Sequence, residues 1–325
     1  MVERKRVRAL AWAAAALGAP CLVACGARPG ASDAARSSAH GGQFFAHDNF
    51  PSRHVAPRRV DVWLPPPLSE TDSALRVLYM HDGQAMFARG GMGGDGWAID
   101  RHLAVLGRAG LVRPTMVVAI WNTPERWFEY APAPVDALAA PLRRAMLGIA
   151  PDAPMRPTRS DAYLRFIALE LKPFIDRQYH TLPGRADTLL GGSSMAGLVS
   201  LYGLASYPDV FGAAACLSTH WPVSANRALL DPSARVMVDA IGASYLAWLA
   251  AHLPQAGHHR LYFDHGTRNL DARYDPFQRQ MDAIGAARGY RNGVDWLSHI
   301  AADADHHEAA WNARLDLPLR FLLAR

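Results

Sequence analysis

The run Gly191-Gly192-Ser193-Ser194-Met195-Ala196-Gly197 carries the strongest chemical signal in the chain. It follows the apolar stretch Thr188–Gly191, which reads as a strand. It precedes Ser194–Tyr207, apolar almost all round, which reads as a helix buried in the core. A serine at such a strand-to-helix junction fits a nucleophile elbow. There the two backbones nearly touch, the turn is strained, and the hydroxyl stands exposed at the helix N-terminus. Small residues are needed on either side, and Gly192 and Ala196 supply them around Ser194. Ala196 occupies the last position of the strict G-x-S-x-G spacing, with Gly197 directly after it; Ser193 lies one residue early. The plain alternative is a Gly/Ser-rich helix cap with no chemistry.

A serine hydroxyl is a poor nucleophile near neutral pH, so acyl chemistry at Ser194 needs a histidine to take its proton and a carboxylate to orient that imidazole. In α/β-hydrolases, which carry such groups on loops at the carboxyl edge of the sheet, the chain order is serine, acid, histidine. His306, following Asp303-Ala304-Asp305, is the candidate base. Asp271 is the preferred acid, in the loop past the strand-like Arg260–Phe263; Asp264, at the strand end, is the runner-up and Asp275 the third choice. The Met195 amide, directly after the nucleophile, is the first candidate donor to a tetrahedral oxyanion.

The elements that must position these groups alternate in the manner of an α/β protein. Candidate strands are Arg59–Leu64, Arg76–Met80, Thr115–Trp121, Thr188–Gly191, Val210–Leu217, Arg260–Phe263 and Val294–His299. Several are apolar throughout, as parallel strands covered on both faces should be. Tyr163–Tyr179 places Phe166, Ile167, Leu169, Leu171, Phe174 and Ile175 on one broad helical face, with a bend expected at Pro173. Pro124–Pro157, rich in Pro and Ala, reads as an insertion beside the sheet. One mostly parallel central sheet with helices on both faces fits the whole.

Three ordered motifs, Tyr79-Met80-His81-Asp82-Gly83-Gln84, Gly192-Ser193-Ser194-Met195 and His306-His307-Glu308-Ala309-Ala310-Trp311, resemble the esterase D-like family of α/β-hydrolases. Enterochelin esterases, feruloyl esterases and mycolyltransferases are relatives. The resemblance runs from about Val60 to the C-terminus and takes in Trp121-Asn122-Thr123 with Arg126, Glu129 and Tyr130, and Ser218-Thr219-His220-Trp221. It implies an α/β-hydrolase fold and a Ser–His–acid triad with no metal or organic cofactor. It also places the second oxyanion donor at Gln84, and the acid at Asp271, after the Gly266-Thr267 turn. His307 departs from the family pattern, which usually has Asn after the catalytic histidine. Without the resemblance, His81-Asp82-Gly83-Gln84 reads only as a turn.

Other residues admit two readings. His258-His259, His265, His299, His306 and His307 invite a metal site, but adjacent histidines diverge on any regular backbone and no H-x₃-H helical pair with a catalytic Glu is present. His220, Trp221, Trp97 and Trp121 either line a pocket or wedge the core. Arg126 and Glu129, three apart, read as a surface pair or as residues near the site.

At the N-terminus, Arg4-Lys5-Arg6 and Arg8 precede an apolar run from Ala9 to Ala24, too short to span a membrane comfortably and read as a signal peptide, residues 1–24. It ends in Leu22-Val23-Ala24-Cys25, which resembles the bacterial lipobox, so Cys25 is expected to become a lipidated first residue at the cell envelope, on the outer membrane where two membranes exist. Residues 25–43, rich in Gly, Ala, Ser and Arg, read as a flexible tether, and 44–325 as the esterase domain. The signal carries a net +3 of the chain's +5, leaving +2, too little to hold a polyanion; nucleic acid is not expected as a partner. Beyond the signal only Cys25 and Cys216 remain, so no internal disulfide is expected. The expected activity is serine carboxylic ester hydrolysis of a small-molecule ester through an acyl-enzyme. The alternatives are acyl transfer by the same triad and a noncatalytic ligand-binding lipoprotein on a hydrolase fold.

Overall fold

The structure, a computed structural model, describes residues 36–37, 41–67, 74–87, 96–224 and 231–324. The signal peptide, Cys25 and most of the tether lie outside the described residues. Among the described residues, nine strands form one sheet: β1 (Arg36–Ser37), β2 (Gln43–Phe50), β3 (Arg58–Leu64), β4 (Arg76–His81), β5 (Thr115–Ile120), β6 (Thr188–Ser193), β7 (Ala213–Leu217), β8 (Arg260–Gly266) and β9 (Trp296–Ala301). Their spatial order is β1-β2-β3-β5-β4-β6-β7-β8-β9. β1, β2, β3 and β5 pair antiparallel in succession, whereas every pair from β5 through β9 is parallel.

Side-chain alternation along these strands builds two cores, one on each face. Val77, Tyr79, Met116, Val118 and Ile120 pack with the helices Met195–Ser206, Arg235–His252 and Asp275–Ala287. Leu78, Met80, Val117 and Ala119 pack with Ile99–Arg108, Glu308–Arg314 and Asp316–Leu323 on the other face. β4, β5 and β6 are buried at every residue, which explains their continuous apolar character.

All seven expected strands are present with ends moved by up to three residues. β1 and β2 were not anticipated: Arg36–Ser37, within the expected tether, pairs with β2, which begins at Gln43. β2 is half-exposed along most of its length, so it lacks the continuous apolar run that marks the inner strands. Ahead of Pro173, where a bend was expected, the helix passes through a π-helical stretch, Phe166–Leu171, after which the Lys172 amide bonds to the Ile167 carbonyl. Pro173 then falls directly after this stretch, in a helical run that continues to Gln178. Pro124–Pro157 is more than an insertion beside the sheet, because Tyr130, Ala131, Val135 and Met146 enter the first core.

Strand register brings the candidate residues to one edge. Met80 is opposite Gly191, Ser193 opposite Leu217, Leu217 opposite Asp264, and Gly266 opposite Ala301. The segments that leave the carboxyl ends of β4, β6, β7, β8 and β9 therefore carry Gln84, Ser194, Ser218 to Trp221, Asp271 and His306 side by side. No helix among the described residues is long and apolar enough to cross a membrane.

Candidate active site

Ser194 sits at φ 59° and ψ −124°, between β6 and the helix Met195–Ser206. A non-glycine residue there stores about 1–3 kcal/mol of backbone strain, held in place by the surrounding structure. Its amide donates to the Leu217 carbonyl at 2.9 Å, and its own carbonyl accepts from Leu198 and His220, both at 3.2 Å. Gly192 makes the turn possible, since a Cβ there would lie 2.5 Å from the Ala196 Cβ. That relation also explains why alanine is accommodated at position 196: the methyl occupies the space that Gly192 leaves open. Because the first amide to bond back is that of Leu198, the Met195 amide is an unspent donor of the helix N-terminus among the described residues.

His306 and Asp271 meet directly, with Nδ1 of the histidine 2.6 Å from Oδ1 of the carboxylate. The other oxygen, Oδ2, accepts from Ser218 Oγ at 2.6 Å and from the Gly266 amide at 2.7 Å. Burial pushes the Asp271 carboxyl up, but the hydrogen bonds from His306, Ser218 and Gly266 together hold it below the ordinary carboxylate range. The His306 ring packs edge-on against Tyr274 at 5.8 Å and Trp311 at 5.1 Å, so its orientation is fixed from two sides. The rival carboxylates are engaged elsewhere. Asp264 receives the guanidinium fork of Arg314 at 2.9 and 3.0 Å and the Tyr262 hydroxyl at 2.9 Å. Asp275 pairs with Arg279 at 2.6 Å.

Gln84 lies in a 3₁₀ turn, Gly83–Ala85, directly past β4. Its side-chain Oε1 accepts from the Asn122 amide at 3.3 Å. Asp82, at φ 56°, anchors the turn; Arg126 grips its carboxylate with two bonds of 2.7 Å and Asn122 Nδ2 adds one of 2.6 Å. Burial again works against the Asp82 charge, and the Arg126 hydrogen bonds and charge outweigh it, holding the carboxyl low. Bonds within the turn run from Ala85 to Asp82 and from Met86 to Gly83, leaving the Gln84 amide uncommitted among the described residues. Asp tolerates the left-handed conformation, which is the local signal of this turn.

Arg126 and Glu129 do not form a pair with each other: Glu129 takes a buried bidentate bond from Arg58 at 2.6 and 2.9 Å. His220 is buried between Tyr274 OH, 2.7 Å from Nδ1, and the Ser224 carbonyl, 3.0 Å from Nε2. Burial lowers its pKa to about 4, so the ring is neutral, with Nε2–H donating and Nδ1 accepting. Trp221 stacks on Phe263 at 6.2 Å and Trp97 tilts against Trp311 at 5.7 Å, both buried wedges. Trp121 donates to Asp61 at 2.7 Å, beneath the Arg59 guanidinium. Sequence reasoning missed the supporting roles of Arg58, Asp82, Ser218 and Arg314. Their partners lie between 40 and 96 residues away along the chain, so no local spacing marks them.

A strained serine elbow, a histidine bonded to a buried carboxylate, and the amides of Met195 at the helix start and of Gln84 on the adjoining β4 loop, all at one sheet edge, define an α/β-hydrolase. Residues 54–322 match the family described as Putative esterase, and the chain belongs to that family. No curated protein matches the chain. Among solved structures, the enterobactin esterase from Shigella flexneri is similar at TM-score 0.56 and 16% identity over 89% of this chain, which spans 60% of that protein. An IroE-like serine hydrolase from Shewanella oneidensis is similar at TM-score 0.55 and 16% identity, covering 86% of this chain and 79% of that one. A ferulic acid esterase is similar at TM-score 0.55 and 17% identity, covering 87% of this chain and 98% of that one.

Proposed function

We propose that the protein is a serine carboxylic ester hydrolase working through an acyl-enzyme, with Ser194 as nucleophile, His306 as base and Asp271 as the carboxylate partner of that histidine. The observation that carries this reading is the 2.6 Å bond between Asp271 and His306 at the edge where Ser194 holds φ 59°. With Nδ1–H committed to Asp271, Nε2 is the nitrogen free to take the Ser194 proton as Oγ attacks the ester carbonyl. The carbonyl oxygen becomes an oxyanion, for which the amides of Met195 and Gln84 are the donors; such donors contribute roughly 3–4 kcal/mol each. His306 then returns the proton to the leaving alkoxide, giving the free alcohol and an acyl group on Ser194. Water, deprotonated by His306, releases the acid and restores the hydroxyl. A sugar or other alcohol in place of water would give acyl transfer with the same residues.

Lipid attachment at Cys25 would hold this chemistry at the cell envelope. Its support is the Leu22-Val23-Ala24-Cys25 motif alone. The activity is tested by turnover on aryl esters, feruloyl esters, acetylated sugars and catecholate siderophore esters. Ser194→Ala is expected to abolish turnover on whichever ester is accepted, and unchanged turnover in that variant would reject the mechanism.

A further inference from the structure

We infer that Ser218, held by Trp311 and Arg314, is a positioning residue that fixes the Asp271 carboxylate for His306. The inference rests on the triad reading given above. A serine hydroxyl has one proton to give and two lone pairs to fill. Ser218 Oγ has three partners: Trp311 Nε1 at 2.9 Å, Arg314 Nη2 at 2.9 Å and Asp271 Oδ2 at 2.6 Å. An indole N–H and a guanidinium are donors only, so they take both lone pairs. The single proton of Ser218 has nowhere to go but Asp271. The direction of this bond is thus set by the chemistry of its neighbours and does not alternate.

The consequence falls on the other carboxylate oxygen. With Oδ2 occupied by Ser218 and the Gly266 amide, the plane of the Asp271 carboxylate is fixed and Oδ1 faces His306 Nδ1. Asp264, the runner-up for the acid, has its own part here. It binds Arg314 by a two-pronged contact and takes the Ser218 amide on Oδ1 at 3.0 Å, so it holds both ends of the Ser218 contact. Ser218 itself is at φ 42°, immediately past β7, a conformation that directs its side chain within reach of both β8 and the last helices. Trp311 serves twice, because its indole donates to Ser218 while its ring packs on His306. The helix Glu308–Arg314, beginning two residues after His306, therefore restrains both partners of the Asp271–His306 bond.

The test is a kinetic double-mutant cycle on the full chain, using an activated aryl ester, with Ser218→Ala, Asp271→Asn and the double variant. Ser218→Ala is expected to lower kcat by about 10–100-fold with KM within about twofold, since the loss lies in the chemical step. In the Asp271→Asn background the same change is expected to alter kcat by less than about twofold, because the group it acts through is gone. Ser218→Gly supplies a second variant, for glycine adopts φ 42° without strain. It is expected to match Ser218→Ala; recovery of full activity in Ser218→Gly would assign the loss to backbone conformation and overturn the inference. A folded Ser218→Ala enzyme with kcat within about threefold of the parent, or equal losses in both backgrounds, would also overturn it. Should Asp271→Asn itself retain full turnover, the triad reading fails instead, which separates the two outcomes.

Discussion

Ser194 and Asp271 owe their suitability to immediate neighbours rather than to their own types. Three aspartates lie in β8 or follow it closely, and their contacts distinguish them: Asp271 receives His306, Asp264 receives Arg314, and Asp275 receives Arg279. Asp271→Asn is expected to leave the fold intact and lower turnover by up to about 10⁴-fold, because a neutral amide cannot stabilise the imidazolium formed during attack. Asp264→Asn should act mainly on stability, since it leaves the Arg314 charge, 9% exposed, without its carboxylate. Kinetics at saturating substrate and melting curves on both variants check this. An inactive, fully stable Asp264→Asn beside an active Asp271→Asn would reverse the assignment. The elbow makes a second residue-scale prediction. Gly192→Ala places a methyl 2.5 Å from that of Ala196, so it should destabilise by about 1–3 kcal/mol and slow acylation, as read by melting temperature and by single-turnover release of the alcohol. Wild-type behaviour in both would show the junction to be looser than described. The strained junction at Ser194 and the pairing of Asp271 with His306 were legible because strand-Ser-helix and the serine, acid, histidine order are local or ordinal patterns. Ser218 and Arg314 were not, because their contacts depend on how β7, β8 and the C-terminal helices pack.

At the scale of elements, the site depends on loops of parallel strands being locked against one another. The β4 loop shows this best: Asp82 is tied to Arg126, Asn122 holds both Asp82 and Gln84, and the Tyr130 hydroxyl accepts the Asp82 amide at 3.1 Å. Arg126→Leu would leave the Asp82 carboxylate unpaired and free the turn. The guanidinium is 33% exposed, so the cost is set at about 1–3 kcal/mol, below that of a fully buried pair. A fall in kcat larger than any rise in KM is expected, since the Gln84 amide would lose its fixed aim at the oxyanion. Parent-like kcat and melting temperature together would show that Arg126 does not hold this turn. The inner strands were legible from apolar runs and β-branched residues. β2 was not, because its exposed His47-Asp48-Asn49 segment resembles a loop, and its pairing with β3 is a long-range fact. The chemistry of the 124–157 segment was likewise hidden by its composition, although Tyr130 within it supports the site.

For the molecule as a whole, buried neutral histidines make stability depend on pH. Burial lowers the pKa of His81 from 6.5 to about 3 and that of His220 to about 4. Between these values and 6.5 the unfolded chain binds protons that the folded chain refuses, so stability rises with pH through this window and is lost as pH falls below about 6.5. Each histidine contributes a slope of up to about 1.4 kcal/mol per pH unit. Asp82 and Asp271, both held low, add their loss only below the ordinary carboxylate range, near pH 4. Melting temperature is thus expected to fall steadily from pH 6.5 to 4.5, and more gently in His81→Gln, which removes one titrating ring. A flat profile across that interval in the parent protein would contradict the burial described.

The central claim is that Ser194 is the nucleophile of an acyl-enzyme mechanism, and covalent capture tests it most directly. The protein is incubated with an organophosphonate ester, which traps an activated serine as a stable adduct, and the adduct is located by peptide mass spectrometry. One adduct per chain on Ser194 is predicted, none in Ser194→Ala, and greatly slowed labelling in His306→Ala. Undiminished labelling of Ser194→Ala, with the adduct on Ser193 or any other residue, would contradict it.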